Sequence, residues 1–152
     1  MENSVLDLSI VRFPVITFSN DRLMYFGRKR DDIEICSKTA LKNGFYKGLR
    51  VIDSDGIEYK IKAAGKVGTV GPLWGYNIFL NQKLQVELYL GKAGNVVSLD
   101  SLKMQILKIM KSDKTFWDSD GMIEEKINFI NNATSHFEII KKLSDGFYLK
   151  YQ

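Results

Sequence analysis

A chain of 152 residues has the usual length of one domain, and a composition of 45% hydrophobic and 26% charged residues excludes the disordered and fibrous classes. The net charge of +4 permits an anionic partner without requiring one. A single cysteine excludes an internal disulfide, and no apolar run approaches the roughly 18 residues that a membrane span needs. We therefore expect one cytoplasmic domain over residues 1–152, with no membrane partner.

The N-terminal third predicts short extended segments and one short helix. Residues 8–19 have an extended pattern interrupted by Pro14, which favours a bent or edge strand. Residues 23–26 and 33–36 are expected to pair as a hairpin around a charged loop. Ser37 follows directly and is the expected cap of a short helix.

The next stretch predicts a β-hairpin around the three-residue loop 54–56. A loop of this length with glycine last fits a type I turn closed by a left-handed glycine bulge. It joins residues 49–53 to residues 57–62 and pairs Val51 with Tyr59. The apolar residues of both strands then share one face, which supports this register.

A second hairpin is predicted from alternating apolar residues. Residues 74–80 and 84–90 both alternate, and the intervening loop would pair Leu80 with Leu84. The glycine-rich residues 63–73 predict a loop between the two hairpins. Together the hairpins predict a four-stranded antiparallel β-meander over about residues 49–90.

Downstream of the meander the apolar period becomes helical. A first helix is expected from Ser98 and a second from near residues 118–120. Ser135 and Glu138 have the spacing of a capping box, so we favour a third, separate helix, although one continuous helix is also compatible with the pattern. Residues 147–151 predict a last strand. The fold class is therefore α+β, with additional N-terminal strands and a C-terminal helical segment packed on the sheet.

Sequences that suggest a metal or phosphate site do not fit one. The segments 53–56 and 118–121 look like calcium loops, but an EF-hand frame places Lys62 or Ile127 where the bidentate glutamate must stand. They are interpreted as a turn and a helix cap. The glycines of residues 65–71 match neither the dinucleotide nor the Walker spacing. We expect no metal and no cofactor.

A catalytic centre is not indicated either. Cys36 and His136 could form a nucleophilic dyad only through spatial proximity. No glycine elbow follows Cys36, and His136 is expected in the first turn of a helix, where the positive dipole end would lower its basicity. Glu124 and Glu125 are adjacent on a helix and point apart. We therefore expect no catalytic residues and no enzymatic activity.

The candidate binding residues lie on the meander face opposite the core. Phe79 and Tyr89 are aromatic on a face that should be polar, and Lys60 and Lys62 share it. Tyr89 is expected across from Gly75, covering the bare glycine backbone. Either a terminal helix packs over this face and buries both aromatics, or the aromatic–lysine patch is exposed and contacts a partner.

Two function classes remain open. A small compact domain without chemistry of its own resembles bacterial inhibitors of the toxin-immunity kind, in general character and not through any motif. This favours a protein-binding module whose partner is another protein, such as a toxin, although the basic balance argues against an inhibitor of a nuclease. The alternative is a nucleic-acid-binding module that uses Lys60, Lys62 and Lys66 with Phe79 and Tyr89 as a stacking platform.

Overall fold

The computed structural model describes residues 4–19, 23–71 and 82–145. The strands are β1 (Val15–Ser19), β2 (Leu23–Gly27), β3 (Ile35–Ser37), β4 (Arg50–Ile52), β5 (Ile57–Thr69) and β6 (Lys83–Val96). The helices are α1 (Asp31–Glu34), α2 (Lys38–Lys42), α3 (Leu99–Ser112), α4 (Lys114–Trp117), α5 (Ile123–Asn132) and α6 (His136–Asp145). The strands form one sheet in the order β2-β1-β4-β5-β6-β3, with antiparallel pairing throughout. The α+β class is confirmed.

The first predicted hairpin is present in the predicted register. Val51 of β4 lies opposite Tyr59 of β5. The amide of Asp53 donates to the carbonyl of Ile57 across 3.0 Å, and Gly56 has a φ of +82°. The loop length and the left-handed glycine therefore set the strand pairing as the sequence indicates.

Strand β6 has different neighbours from those predicted. Strand β5 continues through the first part of the predicted loop, so that Thr69 lies opposite Leu84 of β6. On the other edge of β6, Leu84 lies opposite Cys36 of β3. Leu84 thus has strand neighbours on both edges, and neither is the predicted one. The predicted partner, Leu80, lies in residues 72–81, outside the described residues.

The N-terminal strands also pair differently. Strand β2 pairs with β1, and β3 pairs with β6 at the opposite edge of the sheet. The predicted hairpin of residues 23–26 with 33–36 is therefore wrong, because helix α1 lies between the two strands and carries the chain from one edge to the other. The predicted helix after Ser37 is present, and the Ser37 hydroxyl accepts from the amide of Ala40 across 3.1 Å.

Apolar side chains lie on both faces of the sheet and form two cores. On one face, Ile16, Phe18 and Ile52 pack with helices α3, α5 and α6 in what we call the helix-side core. On the other face, Val15 and Val51 pack with Leu6 and Leu8 of the N-terminal segment in what we call the strand-side core. Successive strand residues point to opposite faces, so β1 and β4 supply both cores. The C-terminal helices pack on the sheet, as predicted.

Helices α3 and α6 begin at the predicted caps, Ser98 and Ser135, whereas α5 begins at Ile123, after the predicted residues 118–120, and the short helix α4 before it was not predicted. The Ser98 hydroxyl accepts from the amide of Ser101 across 3.1 Å, and α5 and α6 are separate helices. The Ser135 hydroxyl accepts from the Glu138 amide, whereas the Glu138 carboxylate accepts from the amide of Thr134, one residue earlier than a capping box requires. In the described part of the chain, none of the helices has the length and apolar character needed to cross a membrane.

The predicted last strand, residues 147–151, lies outside the described residues.

Candidate partner-binding surface

The sheet face that carries the helices at β1 and β4 continues across β5 and β6 as an open surface. Residues paired across antiparallel strands share a face, and Leu84, Val86 and Leu88 of β6 point into the strand-side core. Their neighbours along β6 therefore point to the opposite side. We call this side the outer face, and its described residues include Lys60, Lys62, Ala63, Gly65, Gln85, Glu87 and Tyr89.

Tyr89 occupies the centre of the outer face. Its ring covers Gly65, where an added Cβ would lie 2.8 Å from the Tyr89 hydroxyl oxygen. The covered glycine was predicted to be Gly75, which lies outside the described residues. The Tyr89 hydroxyl donates to the Glu87 carboxylate across 3.2 Å. Burial and then the nearby Glu87 carboxylate raise the pKa of Tyr89 above the ordinary value of about 10, at which the hydroxyl is already a hydrogen-bond donor at neutral pH.

An apolar row crosses strands β5 and β6 and the N-terminal segment at Tyr89. Val5 forms an isolated antiparallel bridge with Tyr89, and Ala63 lies opposite Tyr89 on β5. The Val5 side chain is 47% exposed and Ala63 is also exposed, whereas Tyr89 is half-buried. The row of Val5, Tyr89 and Ala63 is therefore an aromatic flanked by accessible aliphatic side chains. Val5 and Ala63 were not among the predicted residues.

The two predicted lysines border this row in different surroundings. Lys62 is exposed, and Lys60 lies 3.9 Å from the carboxylate of buried Glu58. The same carboxylate accepts from the Arg50 guanidinium across 2.6 Å. Glu58 lies opposite Ile52 of the helix-side core, so helices cover the outer face at this end, whereas the face is open at Lys62. Lys60, Lys62 and Tyr89 share one surface as predicted, and Phe79 lies outside the described residues.

We compared the chain with protein-family models, curated proteins and solved structures. None of them matches it. The candidate surface is therefore identified from the geometry of this chain: an open sheet face with an aromatic at its centre and lysines at its border.

The calcium-like segments serve as a turn and a helix cap, as interpreted. The Asp53 carboxylate accepts from the amides of Asp55 and Ile57 across 3.0 and 2.9 Å. The Asp118 carboxylate accepts from the amide of Ile123 across 3.2 Å at the start of α5. Both carboxylates thus satisfy backbone donors. Within residues 4–19, 23–71 and 82–145, no group of three or more His, Cys, Asp or Glu side chains is placed to hold a metal ion.

Cys36 and His136 lie at opposite ends of strand β6. Cys36 pairs with Leu84 beside the first residue of β6. The His136 Nε2 lies 2.7 Å from the carbonyl oxygen of Val97, which follows the last residue of β6. The structure therefore does not bring the two side chains together as a dyad.

Cys36 is expected to react slowly with thiol reagents. Burial raises the pKa of its thiol, so the protonated, less nucleophilic form dominates at neutral pH. Labelling with a maleimide at about pH 7 should be slower than in the denatured chain, where thiols have a pKa of about 8.5. His136→Ala should leave the labelling rate unchanged. Rapid labelling that His136→Ala abolishes would show that the two residues act together.

Proposed function

We propose that this chain is a non-enzymatic protein-binding module that holds or occludes a partner protein in the cytoplasm, in the manner of a small bacterial inhibitor of the toxin-immunity type. The observation that carries the proposal is the row on the outer face in which the half-buried Tyr89 lies between the exposed Val5 and Ala63. Interfaces between proteins concentrate affinity in a central aromatic with apolar neighbours, surrounded by a charged rim. Lys60 and Lys62 supply such a rim.

A nucleic-acid partner is the weaker alternative. Lys60 and Arg50 both lie beside the Glu58 carboxylate, which offsets part of their positive charge. Stacking platforms for single strands also combine several exposed aromatics with a continuous basic groove. Among the described residues of the outer face, Tyr89 is the one aromatic, and its ring packs over Gly65. These contacts favour a protein surface as the ligand.

Tyr89 is expected to be the hot spot of the interface. After the partner has been captured from the native cell and purified, its affinity for Tyr89→Ala should fall by about 2 kcal/mol or more, because the largest apolar contact of the outer face is lost. Tyr89→Phe keeps the ring over Gly65 and should retain most of the affinity. Glu124→Ala, on the exposed side of α5, is the matched surface control and should bind as the unmodified protein does.

The same titration at two salt concentrations separates the two function classes. In a protein complex, Lys60→Ala and Lys62→Ala should mainly lower the association rate and its salt dependence. In a nucleic-acid complex, affinity would fall steeply with added salt, and loss of the lysines would flatten that slope. The melting temperature of each variant shows whether it remains folded. A folded Tyr89→Ala variant with unchanged affinity would place the interface elsewhere.

A further inference from the structure

A groove lies between helix α3 and strand β4, next to the covered end of the outer face. Its volume is about 360 Å³, and it is lined by Arg50, Ser101, Met104, Gln105 and Lys108. The four helical residues follow the spacing of one helix face. One side of the groove is therefore a single stripe of α3, and the other side is the sheet at Arg50.

The charge of this groove is positive. Glu58 accepts from the Arg50 guanidinium, which also lies 5.6 Å from the centre of the Phe18 ring, so Arg50 is held at the sheet surface. Lys108 is exposed on α3. Lys60 is the cross-strand neighbour of Arg50 and continues the positive charge onto the outer face. The described residues that line the groove include no carboxylate, and the buried Glu58 carboxylate beside it is shared by Arg50 and Lys60.

An apolar side chain stands among these charges. Met104 is 71% exposed, although it lies on the same helix as the fully buried Leu102 and Ile106. Methionine is flexible and polarizable, and it adapts to the shape of an apolar side chain placed against it. The groove therefore offers both an apolar contact and two flanking cations, Arg50 and Lys108.

We propose that this groove binds an acidic segment of the partner protein, with carboxylates beside Lys108 and Arg50 and an apolar side chain against Met104. This inference rests on the proposed function, because it assigns the chemistry of the partner that the protein-binding module holds. Charge complementarity selects an acidic segment, and Met104 distinguishes a polypeptide with apolar side chains from a simple polyanion. The groove and the outer face form one continuous surface through Arg50 and Lys60.

The test uses two labelled peptides with the full-length chain and no natural partner. One is a fluorescein-labelled peptide of alternating Glu and Leu, and the other has Gln in place of every Glu. Fluorescence anisotropy should show binding of the Glu peptide and at least about tenfold weaker binding of the Gln peptide. Lys108→Glu should weaken binding of the Glu peptide about tenfold, since one attraction is replaced by a repulsion of similar size. Met104→Ser should also weaken it.

Lys111→Glu is the matched control, because Lys111 is exposed on the same helix and does not line the groove. It should change the affinity less than about twofold. Equal binding of the two peptides, or equal losses for Lys108→Glu and Lys111→Glu, would overturn the inference. Displacement of the Glu peptide by an oligothymidylate of equal charge at equal concentration would also overturn it, since the groove would then bind any polyanion.

The outcome is independent of the outer-face experiment. Tyr89→Ala should leave binding of the Glu peptide unchanged, because Tyr89 does not line the groove. If the peptide fails to bind while capture of the partner still depends on Tyr89, the acidic-segment inference is wrong and the proposed function stands. If the peptide binds but Tyr89→Ala does not weaken capture of any partner, the outer face is not the surface that binds a partner protein, and the proposed function is wrong in that respect.

Discussion

Gly56→Val should lower the free energy of unfolding by about 2–4 kcal/mol, which is far more than a typical surface substitution. Two independent costs add at this position. Gly56 has a φ of +82°, which a β-branched residue resists. An added Cβ would also lie 2.7 Å from the His136 Nε2, whose ring is held in place by the carbonyl of Val97. Urea denaturation measures the loss.

The control for this substitution is Gly48→Val. Gly48 has a φ of +76° and nothing within 4 Å of an added Cβ, so only the backbone cost applies. The difference between the two variants isolates the contact between the turn and helix α6. We expect Gly48→Val to be clearly the less destabilising. An unchanged melting temperature for Gly56→Val would contradict the bulged turn itself.

Lys126→Met should destabilise the protein by about 3 kcal/mol at neutral pH, because it breaks a buried ion pair from one side. The Lys126 side chain is 4% exposed, and its ammonium donates to the Asp120 carboxylate across 2.8 Å and to the carbonyl of Trp117 across 2.9 Å. These bonds tie the end of α4 to α5. Methionine retains the apolar length of the side chain but leaves the Asp120 carboxylate and the Trp117 carbonyl without this donor. The matched control is Lys111→Met on the exposed surface of α3.

The effect of Lys126→Met should depend on pH in a defined direction. The hydrogen bond from Lys126 lowers the pKa of Asp120 below its usual value. A carboxyl group with a lowered pKa in the folded state contributes stability above its unfolded pKa of about 4 and loses it as pH falls through the folded value. The stability difference between the two proteins should therefore shrink below about pH 4. A difference that stays constant down to about pH 2 would contradict this role of the pair.

The sequence predicted those strand pairings that local chemistry determines. The hairpin around residues 54–56 was predictable because a three-residue loop ending in Gly56 allows one register. The partners of β6 were not, because alternation in Leu84, Val86 and Leu88 identifies a face and not a neighbouring strand. The second half of strand β5, from Ala63 to Thr69, was predicted to be a loop, because its alanines and glycines do not show the apolar alternation of a strand.

The candidate surface was predictable to a similar degree. Tyr89 was recognisable as an aromatic on a polar face. The sequence also predicted that its ring covers a glycine, and the glycine that it covers among the described residues is Gly65. Val5 reaches Tyr89 through an isolated bridge, which leaves no periodic pattern in the sequence. The groove joins Arg50 to residues of α3 that are far away in the chain, so only tertiary packing brings them together.

A photo-crosslinker at position 63 tests most directly whether the outer face binds a protein. Ala63 is exposed beside Tyr89, so benzoylphenylalanine in its place would point at anything bound to the outer face. The same group in place of Glu124, on the exposed side of α5, is the control. Each variant is expressed in separate cells, which are irradiated and analysed by mass spectrometry. A crosslinked protein is expected for position 63 and none for position 124. Crosslinks only at position 124, or only to nucleic acid, would contradict a protein-binding outer face.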